Sequence, residues 1–229
     1  MKKNSVLLLS GGIGARMQKS IPKQHLLLFG RPIIIHSLER IDKLVDIDKI
    51  VITCNKNHID DLKEMTKMYG FKNEIIIIEG GKSRQESVQK GLMEINTPSV
   101  LIHEAARPFV RLKEFEKLID SKEQNITYGV DIPYTVLMRK GDFITENLNR
   151  SSLINIQLPQ KFNTLKLKRA HLEAIQNKKT FTEDTSLLLD FFGKKIKIFK
   201  GTEFNIKITN PIDYKIAEII YKDYILNEE

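Results

Sequence analysis

A chain of 229 residues is long enough to bury a full core and suits one α/β domain, or one with a small appendage. Charged residues make up 29% and the hydrophobic class 41%, which excludes a disordered chain, and no apolar stretch approaches the roughly 18 residues of a membrane span. The net charge of +8 calls for anionic partners, yet the lysines are dispersed, with no Trp and no aromatic–basic repeat, so small phosphates fit better than nucleic acid or a membrane. The single cysteine, Cys54, excludes an intrachain disulfide and a thiolate metal cluster, and reads as a buried inert thiol. Met1 to Ser5 is too short before the first strand for a secretory leader, so the expected compartment is the cytoplasm.

Val6 to Leu9 reads as a buried strand that opens into Ser10, Gly11, Gly12, Ile13 and Gly14, followed by Arg16 and Lys23. Glycines let backbone N–H groups approach an anion, and the two cations add a planar fork and a mobile point charge. A triphosphate is the natural ligand of that combination. Two familiar phosphate motifs are absent. The dinucleotide fingerprint lacks its third glycine, since position 17 is Met, and Gly81-Lys82-Ser83 lacks the first P-loop glycine, since position 76 is Ile.

Strand and helix signals then alternate. Pro32 opens a helix that continues through Ile41; Lys49 to Cys54 is a strand, and Ile59 to Tyr69 a helix stopped by Gly70. Ile75 to Ile78 is a strand leading into Glu79-Gly80-Gly81, Ser83 to Ile95 a helix, and Val100 to Ile102 a strand closing in His103-Glu104-Ala105-Ala106-Arg107-Pro108. Continuous apolar strands with helical crossovers predict a mostly parallel sheet covered on both faces, with ligands bound beyond the strands' carboxyl ends. Residues 11–23, 80–87 and 103–108 all fall at those ends.

Tyr128 to Ile132 is a further strand, after which residues 133–157 leave the pattern as a β-arm, with Gly141-Asp142 turning between Thr135–Arg139 and Phe143–Thr145. From Leu165 a basic helix runs to about Gln176. Thr182 to Phe192 follows as a helix with a cap-like start, then a strand at Ile196–Phe199 and a last helix from Pro211. No repeat or flexible linker divides the chain, so residues 1–229 read as one domain with an arm. The five histidines do not pair at metal-ligand spacing and read as packing or surface residues.

Ser10 to Met17, Pro22-Lys23-Gln24, Gly80 to Val88, His103 to Pro108, Pro159-Gln160 and Asn205 to Thr209 together resemble the 2-C-methyl-D-erythritol 4-phosphate cytidylyltransferase family. The ribitol-5-phosphate cytidylyltransferases of surface-polymer synthesis are close relatives. Gly91 after the Arg84–Val88 run, Ala105 and Ala106 before Arg107-Pro108, and Thr182 to Ser186 lean to the methylerythritol branch. Glu104, Leu158 and Lys82 depart from the pattern, standing where the families more often carry Asp, Thr and a small or acidic residue.

The resemblance implies a Rossmann-like three-layer α/β sandwich of the nucleotide-diphospho-sugar transferase kind. The implied reaction joins CTP and a polyol phosphate, giving a CDP-alcohol and pyrophosphate, with Mg²⁺ or another divalent cation bridging phosphates. Arg16 and Lys23 would contact the triphosphate and stabilise the transition state, with Lys207 flanking the α-phosphate; without its motif, Lys207 would read as a solvated strand lysine. Ser10, Gly11, Gly12, Gly14, Gly81, Lys82 and Ser87 match nucleotide-holding positions. Glu104 is expected to hold the nucleotide, to hold a metal or its bound water, or to pair with Arg107, which is itself either a nucleotide contact or a structural clamp. Thr135 and Arg150 match acceptor-phosphate contacts that reach across from a partner's arm, implying a homodimer. The competing readings are a ribitol- or other polyol-phosphate enzyme, a catalytically silent nucleotide-binding module and a basic nucleic-acid binder.

Overall fold

The computed structural model describes residues 2–11, 26–193 and 195–225. Arg16, Lys23, Gly12, Gly14 and His25 therefore lie outside the described residues.

The first strand, β1 (Asn4–Ser10), is buried along its whole length because it is central. A two-residue ribbon, β2 (Leu27–Leu28) with β3 (Arg31–Pro32), leads into α1 (Ile33–Asp42). Then follow β4 (Ile47–Cys54), α2 (Ile59–Tyr69), β5 (Glu74–Glu79), α3 (Arg84–Met93), β6 (Ser99–Glu104), α4 (Leu112–Asp120) and β7 (Ile126–Asp131). The arm is an exposed hairpin of β8 (Leu137–Lys140) and β9 (Phe143–Asn147). The chain returns as β10 (Ile154–Asn163), and α5 (Thr164–Gln176), α6 (Asp184–Phe192), β11 (Lys197–Lys200) and α7 (Pro211–Ile220) complete the order.

Seven strands form one sheet in the order β11-β7-β10-β6-β1-β4-β5. All pair in parallel except β10, which runs antiparallel to both β6 and β7. Alternate side chains of β1 enter opposite layers, as strand geometry requires. Val6 and Leu8 pack with Ile34, Leu38 and Phe115 of α1 and α4, whereas Leu7 and Leu9 pack with Val88, Leu92 and Leu167 of α3 and α5. The expected mostly parallel sheet with helices on both faces is what the chain builds.

Three features differ from the pattern read in the sequence. The sequence predicts an arm over residues 133–157, but residues 154–157 already belong to β10, paired with β7 from Ile154↔Asp131. A proline argues against a central strand because it cannot donate to the ladder. Here Pro159 sits where the β10–β7 register shifts between Gln157 and Lys161, so the interruption absorbs it. Second, α4 falls where no helix was expected, although Leu112, Phe115, Leu118 and Ile119 have helical spacing and the Glu114 carboxylate accepts the Arg111 N–H at 2.9 Å. Third, Lys207, which without its motif would read as a solvated strand lysine, lies on irregular backbone. Cys54 is fully buried, and burial pushes its thiol up to about 11, as an inert core cysteine requires.

Helix α3 lies close on β1 because Gly91 has no side chain: a Cβ there would fall 2.3 Å from Leu7 Cδ1. Gly91→Ala should therefore destabilise the fold by about 1–3 kcal/mol through overpacking, read as a lower urea midpoint at unchanged slope.

Candidate active site

The carboxyl ends of β1, β4 and β5 open onto a cleft of about 370 Å³ whose lining includes Gly11, Asn55, Glu79, Gly80, Gly81 and Lys82. Three expected nucleotide-binding residues, Gly11, Gly81 and Lys82, thus share one cavity. Ser87 ties its floor together: its hydroxyl accepts the Gly81 N–H at 2.9 Å and donates to the Ser83 carbonyl at 2.8 Å. The Lys82 N–H donates to Glu86 Oε2 at 2.8 Å, so Lys82 is fixed through its backbone. Gly81 is required because the Glu86 side chain folds over it, within 2.4 Å of where a Cβ would stand. Ser10 ends β1 as a buried residue beside this cleft.

Strand β6 delivers Glu104 to the same edge, opposite Leu9 of β1. Glu104 is only 7% exposed, and its carboxylate is shared by three cations. Its Oε2 lies 2.9 Å from Lys207 Nζ and 3.4 Å from Arg107 Nε, while Oε1 lies 3.5 Å from Arg84 Nε. Burial pushes the Glu104 pKa upward, but Lys207, Arg107 and Arg84 together outweigh it and hold the carboxyl at about 2. Of the roles expected for Glu104, pairing with Arg107 is seen directly, and the pairing extends to Lys207.

Lys207 reaches this point on a loop held at three places. The Ile208 N–H donates to the Ala106 carbonyl at 2.9 Å, and Arg107 Nη1 donates to the Asn205 carbonyl at 2.8 Å. The buried Asn205 amide donates to the Leu158 carbonyl at 2.6 Å, where the cis Leu158–Pro159 bond accompanies the break in the β10 ladder. Leu158 takes part through its carbonyl, so its departure from Thr leaves this contact intact. Arg107 thereby clamps the loop as well as facing Glu104. The Lys207 side chain keeps 38% of its surface exposed, enough to meet a ligand.

Behind Glu104 lies a second layer of charge, formed by residues to which their motifs alone give no chemistry. Arg84 Nη1 lies 2.7 Å from Asp184 Oδ2, and Asp184 Oδ1 lies 3.1 Å from His171 Nε2. Burial works against the Asp184 charge, yet Arg84 and His171 hold its pKa below the ordinary range; Glu183 beside it is raised by burial and by Asp184. Arg84 and Asp184 both sat inside quoted motifs, but only the fold brings residues 100 positions apart into contact. Two further described histidines serve packing: His36 meets the Leu28 carbonyl, and His103 the Arg107 carbonyl, with burial lowering His103 to about 3.

Thr135 and Arg150 stand apart from this cluster. Both are exposed on the arm, and Arg150 donates to the Pro133 carbonyl at 2.7 Å. Among the described residues no group of three His, Cys, Asp or Glu side chains comes together to hold a metal. Glu104, expected as a metal contact, already has both oxygens facing cations, so the described residues do not fit a protein-held divalent ion.

The sequence model of the family IspD, 2-C-methyl-D-erythritol 4-phosphate cytidylyltransferase, matches residues 5–223. Curated 2-C-methyl-D-erythritol 4-phosphate cytidylyltransferases of Bacillus velezensis and Clostridium kluyveri are 34% and 35% identical, over 95% and 98% of this chain and 95% and 99% of their own length. Among solved structures, 4-diphosphocytidyl-2C-methyl-D-erythritol synthase from Anaerococcus prevotii superposes with a TM-score of 0.84 at 26% identity, covering 96% of each chain. The bifunctional IspDF of Campylobacter jejuni gives 0.76 at 29% identity, covering 93% of this chain and 53% of that one. Sequence, fold and the motif-borne cluster at the sheet's edge agree: the chain belongs to the 2-C-methyl-D-erythritol 4-phosphate cytidylyltransferase family.

Proposed function

We propose that this chain transfers the cytidylyl group of CTP to the phosphate of 2-C-methyl-D-erythritol 4-phosphate, releasing pyrophosphate, as an enzyme of isoprenoid-precursor synthesis. The observation that carries this reading is the 2.9 Å pairing of Lys207 with Glu104 beside the glycine-bounded cleft. It sets a cation from the C-terminal part of the chain where a triphosphate entering from β1 would lie.

An oxygen of the acceptor phosphate attacks the α-phosphorus of CTP; that P–O bond forms as the α–β bridge breaks, and the electron pair leaves on pyrophosphate. The nucleophile is already ionised, so the demand on the protein is to position two anions and to neutralise growing charge. Lys207, fixed by Glu104 and by the Asn205 loop, meets the α-phosphate from one side. Arg16 and Lys23 are assigned to the triphosphate by their motif alone. The cytosine and ribose lie against Ser10, Gly11, Gly81, Lys82 and Ser87, read largely by backbone groups, which accommodates lysine at position 82. A divalent cation such as Mg²⁺ would supply further neutralisation of the phosphates, with no group of His, Cys, Asp or Glu side chains among the described residues placed to hold it.

The acceptor phosphate is held by Thr135 and Arg150 of a partner's arm in a homodimer. Support comes from Tyr134, Phe143 and Ile144, which are 78%, 78% and 70% exposed on the isolated arm, an apolar surface suited to burial against another copy. No helix among the described residues is long and apolar enough to cross a membrane. The cytoplasm, where a lone thiol stays reduced, is the compartment this reading implies.

Incubation with CTP, Mg²⁺ and the acceptor should release pyrophosphate; CTP binding without release from any polyol phosphate would overturn the activity. Lys207→Ala should lower kcat/KM by about 10²–10³-fold with unchanged thermal unfolding, and near-normal turnover would remove Lys207 from the mechanism. With Glu104 ionised down to about 2, the rate should rise with pH through the acceptor's second phosphate ionisation near ~6, with the same midpoint in Glu104→Gln. Mixing Arg150→Ala with Lys207→Ala chains should restore activity toward a quarter to a half of normal if each arm serves its partner's site; failure in verified mixed dimers would exclude arm exchange.

A further inference from the structure

We propose that Arg84 and Asp184 are positioning residues for the transfer: Asp184 pins the Arg84 guanidinium, which fixes the plane of the Glu104 carboxylate and, through it, the ammonium of Lys207. This rests on the activity proposed above and adds two residues to it that touch neither substrate.

The geometry separates this role from that of a simple helix clamp. Fastening α6 to α3 needs only the 2.7 Å contact between Arg84 Nη1 and Asp184 Oδ2. The Arg84 Nε instead faces Glu104 Oε1 at 3.5 Å, on the oxygen opposite the one that Lys207 and Arg107 share. Cations on both oxygens hold a carboxylate against rotation about its last bond, and a terminal sp² torsion is otherwise soft. A planar fork can serve two carboxylates at fixed angles in a way a lysine ammonium cannot. Arg84 is itself immobilised: it opens α3 at its first turn, and Asp184 is fully buried and held from its other side by His171 at 3.1 Å. Glu183, with Oε1 3.8 Å from Arg84 Nη2, closes the third side. The amino end of α6 thus reaches the transfer site through two ion pairs in series, Asp184–Arg84 and Arg84–Glu104.

Steady-state kinetics on the full chain test this. Asp184→Asn should lower kcat about tenfold with the KM for CTP within about twofold, and Arg84→Lys should do the same. Combined with Glu104→Gln, Asp184→Asn should add no further loss, because both changes act through one carboxylate. Turnover of Asp184→Asn within twofold of normal, or multiplicative losses in the double variant, would overturn the inference. Should Asp184→Asn fail to fold, Arg84→Lys decides alone, and unchanged kcat in it overturns the inference too. An inactive natural chain would overturn the proposed activity and this inference with it; an active one with indifferent variants overturns this inference alone.

Discussion

A single carboxylate, that of Glu104, organises the site. Left alone at the end of a buried strand it would be costly, since a charge removed from water must be paired. Three cations from three separate parts of the chain answer that need: Arg84 from the start of α3, Arg107 from the turn after β6, and Lys207 from the loop before α7. Satisfying one buried charge thus draws distant segments to the edge of the sheet where a polyphosphate would be handled. The same requirement keeps the lysine from wandering, because a flexible side chain is given a fixed anionic partner and still keeps an exposed face.

Supporting this node is a set of contacts made by backbone carbonyls. Asn205 holds Leu158, Arg107 holds Asn205, and Ile208 holds Ala106. Together they turn an irregular loop into a rigid mount without secondary structure of its own. Side-chain identity matters at Asn205 and Arg107, which donate. It matters less at Leu158, whose carbonyl any residue would offer.

The sequence made the parallel layers legible because their strands are short apolar runs separated by helical spacing, and the fold keeps Val6 to Leu9, Lys49 to Cys54 and Val100 to Ile102 close to where patterning puts them. Strand β10 was not legible, since Pro159 contradicts a central strand unless the register break is known beforehand. The cluster around Glu104 was half legible. Its members could be named from their motifs, but the sharing of one carboxylate by three cations, and the reach from Asp184 to Arg84, depend on tertiary contacts between residues far apart in the chain. Arg16 and Lys23 remain readings of motif chemistry.

Within the seven-stranded sheet, the antiparallel run of β10 has a structural consequence of its own. Because β10 returns beside β7 in the opposite sense, everything between them, residues 132–153, is the tip of one extended hairpin and not a crossover. Within that tip β8 and β9 pair with each other and with no strand of the seven-stranded sheet. The fold therefore separates a platform from an outrigger, and the acceptor contacts proposed for the arm would lie on the latter.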